Sequence, residues 1–491
     1  MTAMSHPNLK LPPLKQFIDG EWVDSASERT METIDPATGK AFAQVSAGDA
    51  EDVDRAVKSA RLAVEHGPWT KVPPAARSRV LNRIADLIEA RGEELATLES
   101  VDNGKPVTAA RMADIPSSAG VFRYMAGWAM RMEGEQIPLA NRPQGQFLAY
   151  TQRAPIGVVG QIVPWNFPLL MAAWKVAPAL AFGCASILKP AEQTPLTAAA
   201  LVQIAQEAGV PAGQLNLIQG LGHVVGAALV GHNEVNKIAF TGSTEVGKTI
   251  VRSGADTLKR ISLELGGKSP TIVLADADID AAVAGAAHAI FFNQGQICTA
   301  GSRLYVHESI YDKFIDRLAT VAAALKTGPG LDPTTQIGPL VSEEQLRRVA
   351  GYVEIGKKEG AGVAVGGDAV GGPGYFYRPT ILTHVNQKMR VVQEEIFGPV
   401  LVATRFKEID EVVAMANDSV YGLAASVWTR DVSKAHAVAR ALHAGTVWVN
   451  CHHVMDPAMP FGGYKQSGWG REMGAAAYEM YTESKSVCIQ L

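Results

Sequence analysis

Cysteine is scarce in this chain, with only Cys184, Cys298, Cys451 and Cys488 among 491 residues. Four scattered thiols exclude a disulfide framework and the paired spacing of a structural zinc motif, so no metal is expected and a reducing, cytoplasmic setting is. Charge of one sign is also lacking, since charged residues make up 19% and the net charge is only -4. That balance excludes a basic face for nucleic acid or for an anionic membrane. No apolar run reaches the roughly 20 residues that a bilayer span requires. The longest, Leu169 to Cys184, is interrupted by Lys175 and Pro178. Met1 to Gly20 carries prolines and mixed charge where a secretory signal has an apolar core, and no repeat or low-complexity tract stands out. What is abundant is hydrophobic sequence, 47% of the chain, enough to build the cores of two or three domains.

The middle of the chain alternates β-rich runs with helical periodicity. Gly157 to Val163 reads as a strand, Leu169 to Phe182 as a helix, Ala185 to Leu188 as a strand, and Pro195 to Ala208 as a helix ended by Gly209. Leu215 to Ile218 and Lys237 to Phe240 read as further strands. The pattern resumes with the strand Thr271 to Leu274, the helix Ile279 to Phe292 and the strand Arg303 to Val306. Strands alternating with helices predict two doubly wound α/β units with parallel sheets. Glu133 to Gln152 and the tail beyond Gly468 fit neither unit.

Two glycine-flanked segments carry the chemistry. Phe291-Phe-Asn-Gln-Gly-Gln-Ile-Cys-Thr-Ala-Gly301 presents Cys298, and Leu263-Glu-Leu-Gly-Gly-Lys-Ser-Pro270 presents Glu264. A lone cysteine in an apolar chain is ordinarily an inert buried thiol. A thiolate paired with a carboxylate is a different object: it can add to a carbonyl carbon, and the carboxylate can then activate water to release the acyl group. Five more blocks surround them: Pro164-Trp-Asn-Phe-Pro168, Lys189-Pro-Ala-Glu192, Phe240-Thr-Gly-Ser243, Glu394-Glu-Ile-Phe-Gly-Pro399 and Pro460-Phe-Gly-Gly-Tyr-Lys-Gln-Ser-Gly468. In these blocks and their order the chain resembles the aldehyde dehydrogenase superfamily, from about Phe17 to Val487. The resemblance implies a Rossmann-like cofactor domain (1-132 and 153-262), a catalytic domain (263-466) and a small β extension (133-152 and 467-491) that joins subunits into a dimer or tetramer.

The cofactor reading starts from a departure. Gly220-Leu-Gly-His-Val-Val-Gly226 has one residue too many before its third glycine for a dinucleotide fingerprint, and a plain turn and helix explains it equally well. Gly242-Ser-Thr is the better phosphate site, because it follows a strand and opens a helix whose free amides and dipole favour an anion. Glu192, just after the strand ending in Lys189, could accept hydrogen bonds from a ribose diol and would repel a 2'-phosphate. The resemblance assigns Lys189 and Glu192 to that ribose, which favours NAD over NADP. It assigns further cofactor contacts to Val163, Pro164, Trp165, Gly222, Thr241, Gly242, Ser243 and Leu265, and the nicotinamide ribose and ring to Glu395 and Phe397. Gly242 to Thr249 also satisfies a P-loop pattern, with Asp276 as a would-be magnesium ligand. Glu245 and Val246 sit where a phosphate cradle needs glycine-lined amides, which argues against a nucleotide triphosphatase.

The resemblance further implies that Cys298 forms a thiohemiacetal, with the Asn166 side-chain amide and the Cys298 N–H facing the oxyanion. Hydride passes to nicotinamide, and Glu264 activates water to hydrolyse the thioester. Lys175 and Glu472 match positions that carry protons outward, although a structural ion pair is the plain alternative. The implied substrate tunnel is lined by Phe167, Leu170, Met171, Trp174, Phe292, Ile297, Thr299, His453, Met455 and Phe461. Rings dominate it, and no carboxylate or arginine lines it, so an apolar or arylalkyl aldehyde such as phenylacetaldehyde is expected, with an amino- or betaine-type aldehyde as the alternative. The resemblance puts His453 at the tunnel mouth, where it could contact a polar group, and a loop cap is its plain alternative. A redox-free thioester acyltransferase or hydrolase, or a non-catalytic protein on the same fold, are the other classes weighed. Glu264 favours water over a thiol as acyl acceptor.

Overall fold

The computed structural model describes residues 9–140 and 145–491, so part of the N-terminal segment and of the 133-152 segment read above lies outside the described residues. Two sheets organise the chain. In the larger, five parallel strands run in the spatial order Arg260–Glu264, Lys237–Thr241, Val158–Ile162, Ala185–Lys189, Leu215–Leu217. The antiparallel strands Gln16–Ile18 and Glu21–Val23 extend one edge, and Gly468–Trp469 closes the other. The chain winds outward from Val158–Ile162 in one direction, then returns and winds outward in the other from Lys237–Thr241. Adjacent strands whose crossovers leave in opposite directions open a crevice at their carboxyl ends, which is where open α/β sheets hold ligands. The predicted strands are all present, within a residue or two of their expected ends.

The second sheet has seven strands, six of them parallel, with Val400–Phe406, Arg303–His307 and Pro270–Val273 at its centre. Phe147–Pro155 pairs antiparallel with Thr482–Gln490 along its whole length in a separate ribbon. That strand runs three residues past the boundary expected at 152, and Gly468–Trp469 belongs to the large sheet rather than to the ribbon.

Between crevice and core lies the Pro168–Phe182 helix. Proline at its first position costs no hydrogen bond, because the first amides of a helix have no intrahelical acceptor anyway. Gly183 ends it in the left-handed region at φ 89°. Fourteen of its fifteen residues are buried, and Leu169, Val176 and Leu180 fully so. Burial of each such side chain contributes about 1.5–3 kcal/mol. The next surprise is local: the Ile279–Phe291 helix stops short of Phe292, because Asn293 and Gln294 turn left-handed at φ 48° and 57°. Two non-glycine residues in that region hold strain that only surrounding structure can maintain, here on the approach to Cys298.

Candidate active site

The Val163–Phe167 stretch leaves the central strand at the crevice, and long-range hydrogen bonds set its path. Val163 N–H donates to Lys189 O at 3.1 Å. Asn103 Nδ2 donates to Trp165 O at 2.8 Å, and Asn293 Nδ2 donates to Asn166 O at 3.0 Å. Asn166 Nδ2 in turn donates to Gln296 O at 2.8 Å, which uses one amide hydrogen and leaves the other for a ligand. Trp165 meets Phe397 edge to face, with ring centroids 5.2 Å apart, and Phe397 itself is held at φ 62°.

Along the crevice stand the residues expected to hold a dinucleotide. Lys189 Nζ lies 3.0 Å from Glu192 Oε2. Burial alone would raise the Glu192 carboxyl, but Lys189 and the Gly222 amide outweigh it and hold the group below its ordinary value. An ionised carboxylate at this point can accept from a diol and repels a phosphate. Gly222–Gly226 forms a single π-helical turn leading into Ala227–Gly231, so the glycine spacing is a helix start and not a fingerprint loop. The Thr244–Gly254 helix opens at Ser243, whose Oγ accepts from Val246 N–H. Gly242 at its mouth is pressed on the Phe240 ring, where a Cβ would stand 2.4 Å away. Glu395 Oε1 accepts from Gly267 N–H at 2.8 Å, and burial pushes its carboxyl up to about 7. Thr241 and Leu265 close the buried side.

The P-loop alternative has no loop. Residues 244–254 are already helix, Lys248 Nζ bonds Gln466 Oε1 at 2.8 Å, and Asp276 accepts from Thr429. Phosphate oxygens would find no cradle of amides there.

Gly267 joins the two chemical segments. Its Cα sits so close to Cys298 that a Cβ would stand 2.4 Å from the Cys298 carbonyl oxygen. Cys298 is partly exposed, and burial, then the Glu395 and Glu264 carboxylates, push its thiol up to about 12. The backbone amides of Thr299 and of Cys298 oppose that shift. Glu264 is buried, and neither carboxylate oxygen has a hydrogen-bond partner among the described residues. Burial and the nearby Glu472 charge raise its carboxyl well above the usual range, against the pull of Lys175 and Arg471. Gly462 leaves room for it, since a Cβ there would stand 2.9 Å from Glu264 Oε1. Lys175 Nζ lies 2.5 Å from Glu472 Oε1, and both groups are buried.

Rings gather on the other side of the thiol. Trp174 and Phe461 meet edge to face at 5.1 Å, and Phe167 and Phe292 lie 6.5 Å apart. Leu170, Met171, Ile297 and Thr299 fill the remainder, while Met455 stands outermost at 40% exposure. His453 is not a free polar contact. Its Nε2 donates to Ala289 O at 3.1 Å and its Nδ1 faces Thr299 Oγ1 at 3.2 Å, while burial lowers its pKa well below the usual range and keeps the ring neutral. Phe292 and His453 also border an apolar cleft of about 990 Å³ that reaches Met112 and His288. Among the described residues no group of three or more His, Cys, Asp or Glu could hold a metal ion, and no helix is long and apolar enough to cross a membrane.

Several residues of the site were not legible in the sequence. Asn103 and Asn293 brace the Trp165–Asn166 backbone, and His288 stacks on Phe292 at 5.1 Å. Lys105 lies 4.2 Å over the Phe167 ring. Nothing local marks them, because a lysine six residues after a glutamate reads as a solvated helix face.

A doubly wound α/β chain that sets a partly exposed thiol and an unpaired buried carboxyl beside a dinucleotide-type crevice has the architecture of an enzyme of carbonyl oxidation. The chain belongs to the aldehyde dehydrogenase family, whose pattern matches residues 22–487, and it is an oxidoreductase acting on the aldehyde group. It is 51% identical over 481 residues to the phenylacetaldehyde dehydrogenase of Pseudomonas fluorescens, covering 97% of this chain and 96% of that protein. It superposes with a TM-score of 0.95 on the NAD+ complex of an aldehyde dehydrogenase from Bacillus cereus, at 49% identity and over 97% and 96% of the two chains. The NAD+ complex of betaine aldehyde dehydrogenase from Staphylococcus aureus gives a TM-score of 0.96 at 42% identity, over 98% and 96%.

Proposed function

We propose that this chain oxidises an apolar or arylalkyl aldehyde to the carboxylic acid with NAD, through a thioester on Cys298. The observation that carries the reading is Glu264, a buried carboxyl without a partner, packed through Gly267 onto the backbone of a partly exposed Cys298. An unpaired buried carboxyl costs stability unless it serves a purpose, and a general base is one.

Lys189, Glu192 and the Gly222 amide fit the adenosine ribose, the Ser243 helix start fits the pyrophosphate, and Glu395 with Phe397 fits the nicotinamide end. When bound, the nicotinamide accepts a hydride from the substrate carbon. Cys298 Sγ gives its proton to water and adds to the aldehyde carbon, whose C=O π electrons move onto the oxygen. The free amide hydrogen of Asn166 and the Cys298 N–H then meet the oxyanion, so charge develops against donors already in place. Glu264 takes a proton from the water that attacks the thioester, and the acid leaves. Lys175 and Glu472, buried beside Glu264, offer the outward path for that proton.

Substrate choice rests on the rings of Phe167, Trp174, Phe292 and Phe461 and on a neutral His453, which offer apolar contact and no countercharge for a charged aldehyde, ring faces being the sole feature that suits a quaternary ammonium. The likeness to the Staphylococcus betaine enzyme supports the charged alternative. We read 1-132 with 153-262 as the cofactor domain, 263-466 as the catalytic domain, and the Phe147–Pro155 and Thr482–Gln490 ribbon as the element that joins subunits into a dimer or tetramer. The test is NADH absorbance with phenylacetaldehyde, benzaldehyde, hexanal, betaine aldehyde and succinic semialdehyde, each with NAD and NADP. A lead for phenylacetaldehyde or hexanal with NAD supports the reading, and a lead for betaine aldehyde or the semialdehyde overturns the pocket assignment while sparing the mechanism.

A further inference from the structure

A buried ionic cluster packs against the loop that carries Asn166. The Gly92–Asn103 helix ends at Gly104, and the turn that follows throws Lys105 inward, where 1% of its side chain is exposed. Lys105 Nζ stands 3.0 Å from Asp114 Oδ2 and 3.4 Å from Glu99 Oε1. Asp114 ends a π-helical turn, Ala110–Asp114, and a bulge of that kind re-aims side chains out of the ordinary helical ladder. The third neighbour of the ammonium is the Phe167 ring, 4.2 Å from its centroid.

Glu99 reaches the same loop by another route. Its carboxylate accepts from Thr197 Oγ1 at 2.9 Å and from the backbone N–H of Leu169. Leu169 is the second residue of the Pro168–Phe182 helix, so its amide is one that the helix cannot satisfy itself. The helix start is therefore tied to Glu99 and the preceding ring is held under Lys105. Asn103, two residues before Lys105, fixes Trp165 O. Three anchors from one helix end thus bracket Asn166, which has one amide hydrogen committed to Gln296 O and the other to present.

We propose that Lys105, clamped between Glu99 and Asp114, is a positioning residue that holds Phe167 and thereby aims the Asn166 amide at the substrate oxygen. The inference rests on the oxyanion role proposed for Asn166. A cation placed over a ring face in a water-free pocket has a preferred position for that ring, whereas an aliphatic side chain would let it rotate or shift. A small displacement of a hydrogen-bond donor is enough to lower the rate without weakening cofactor binding.

The experiment is a double-mutant cycle on kcat and on the KM for NAD, using phenylacetaldehyde. Lys105→Met should lower kcat by about tenfold while the KM for NAD stays within about twofold, because the lost interaction orients the transition-state donor and not the cofactor. In an Asn166→Ala background the same substitution should change kcat by less than about twofold, since there is no amide left to aim. An unchanged kcat for Lys105→Met, or the same loss in both backgrounds, overturns the proposal. Should Lys105→Met fail to fold, Asp114→Asn keeps the side-chain shape, loosens the clamp on Lys105 and leaves the substrate-lining residues untouched. Its kcat loss must also shrink without Asn166, and an independent loss refutes the aim. A wild-type enzyme that forms no NADH from any aldehyde refutes the reading of the site itself, and an active wild type with uncoupled variants refutes only this inference.

Discussion

Lys175 Nζ and Glu472 Oε1 stand 2.5 Å apart in full burial, joining the Pro168–Phe182 helix to the strand-like turn that Glu472 shares with Phe461. Phe461 N–H donates to Glu472 O and Glu472 N–H donates to Phe461 O, at 2.7 and 2.8 Å. The pair therefore couples the Phe461 backbone, the proposed proton path and the electrostatic surroundings of Glu264.

Breaking one side of that pair should cost more than removing both. Lys175→Met leaves a buried carboxylate uncompensated, and the expected loss is about 3–5 kcal/mol. Lys175→Met with Glu472→Leu should recover much of it. Thermal denaturation checks both, and a double variant no more stable than the single would contradict the ion-pair account.

Removal of the thiol separates binding from chemistry. Cys298→Ala should lower NADH formation by about 10³-fold or more while the Kd for NAD stays within about twofold. Retention of full turnover would remove Cys298 from the mechanism.

Glu264→Gln should cut the steady-state rate by about 10²- to 10⁴-fold, the range of a general base, and still give a single-turnover burst of NADH. If the burst disappears with the steady state, Glu264 acts before hydride leaves.

Glu192→Ala removes the carboxylate that stands beside Lys189 at the expected ribose. NAD should bind about tenfold more weakly and the NADP to NAD ratio of kcat/KM should rise, because a repelling charge has gone and Lys189 remains. Measurement of both cofactors at a fixed aldehyde concentration checks it, and an unchanged ratio would dismiss the contact.

The pH dependence follows from the direction of two shifts. Cys298 is pushed up to about 12 and Glu264 is raised well above the usual range, and both act in their deprotonated forms. Raised values move ionisation to the alkaline side, so kcat/KM should climb with pH from 6 to 9. A profile flat across that window would show that cofactor or substrate binding reverses these shifts. Stability moves the opposite way: with Glu395 pushed up from its ordinary 4.5 to about 7, the contribution of its protonated form is complete below about 4.5 and is lost as pH rises to about 7.

Period and spacing alone were sufficient for Val158–Ile162, Ala185–Lys189, Leu215–Leu217 and Lys237–Thr241 of the larger sheet and for Pro270–Val273 and Arg303–His307 of the second, and hence for the crevice at the carboxyl ends of Val158–Ile162 and Lys237–Thr241. Local propensity and burial agree there, which makes the pattern readable without contacts. Cys298, Glu264 and Asn166 were singled out by another route, the motif blocks through which the chain resembles the aldehyde dehydrogenases, and their roles remain those proposed above. What only the tertiary structure decided depends on pairs far apart in the chain. The left-handed turn at Asn293 and Gln294 exists because Asn166 and Pro339 carbonyls accept their amides, and no residue-level preference announces it. Gly220 to Gly226 became a helix start because Glu192 faces its first amide rather than a phosphate loop forming. Lys105, Glu99 and Asp114 converge inside the protein although each resembles a surface charge, since burying a charge is tolerable only when the fold brings its partners to it.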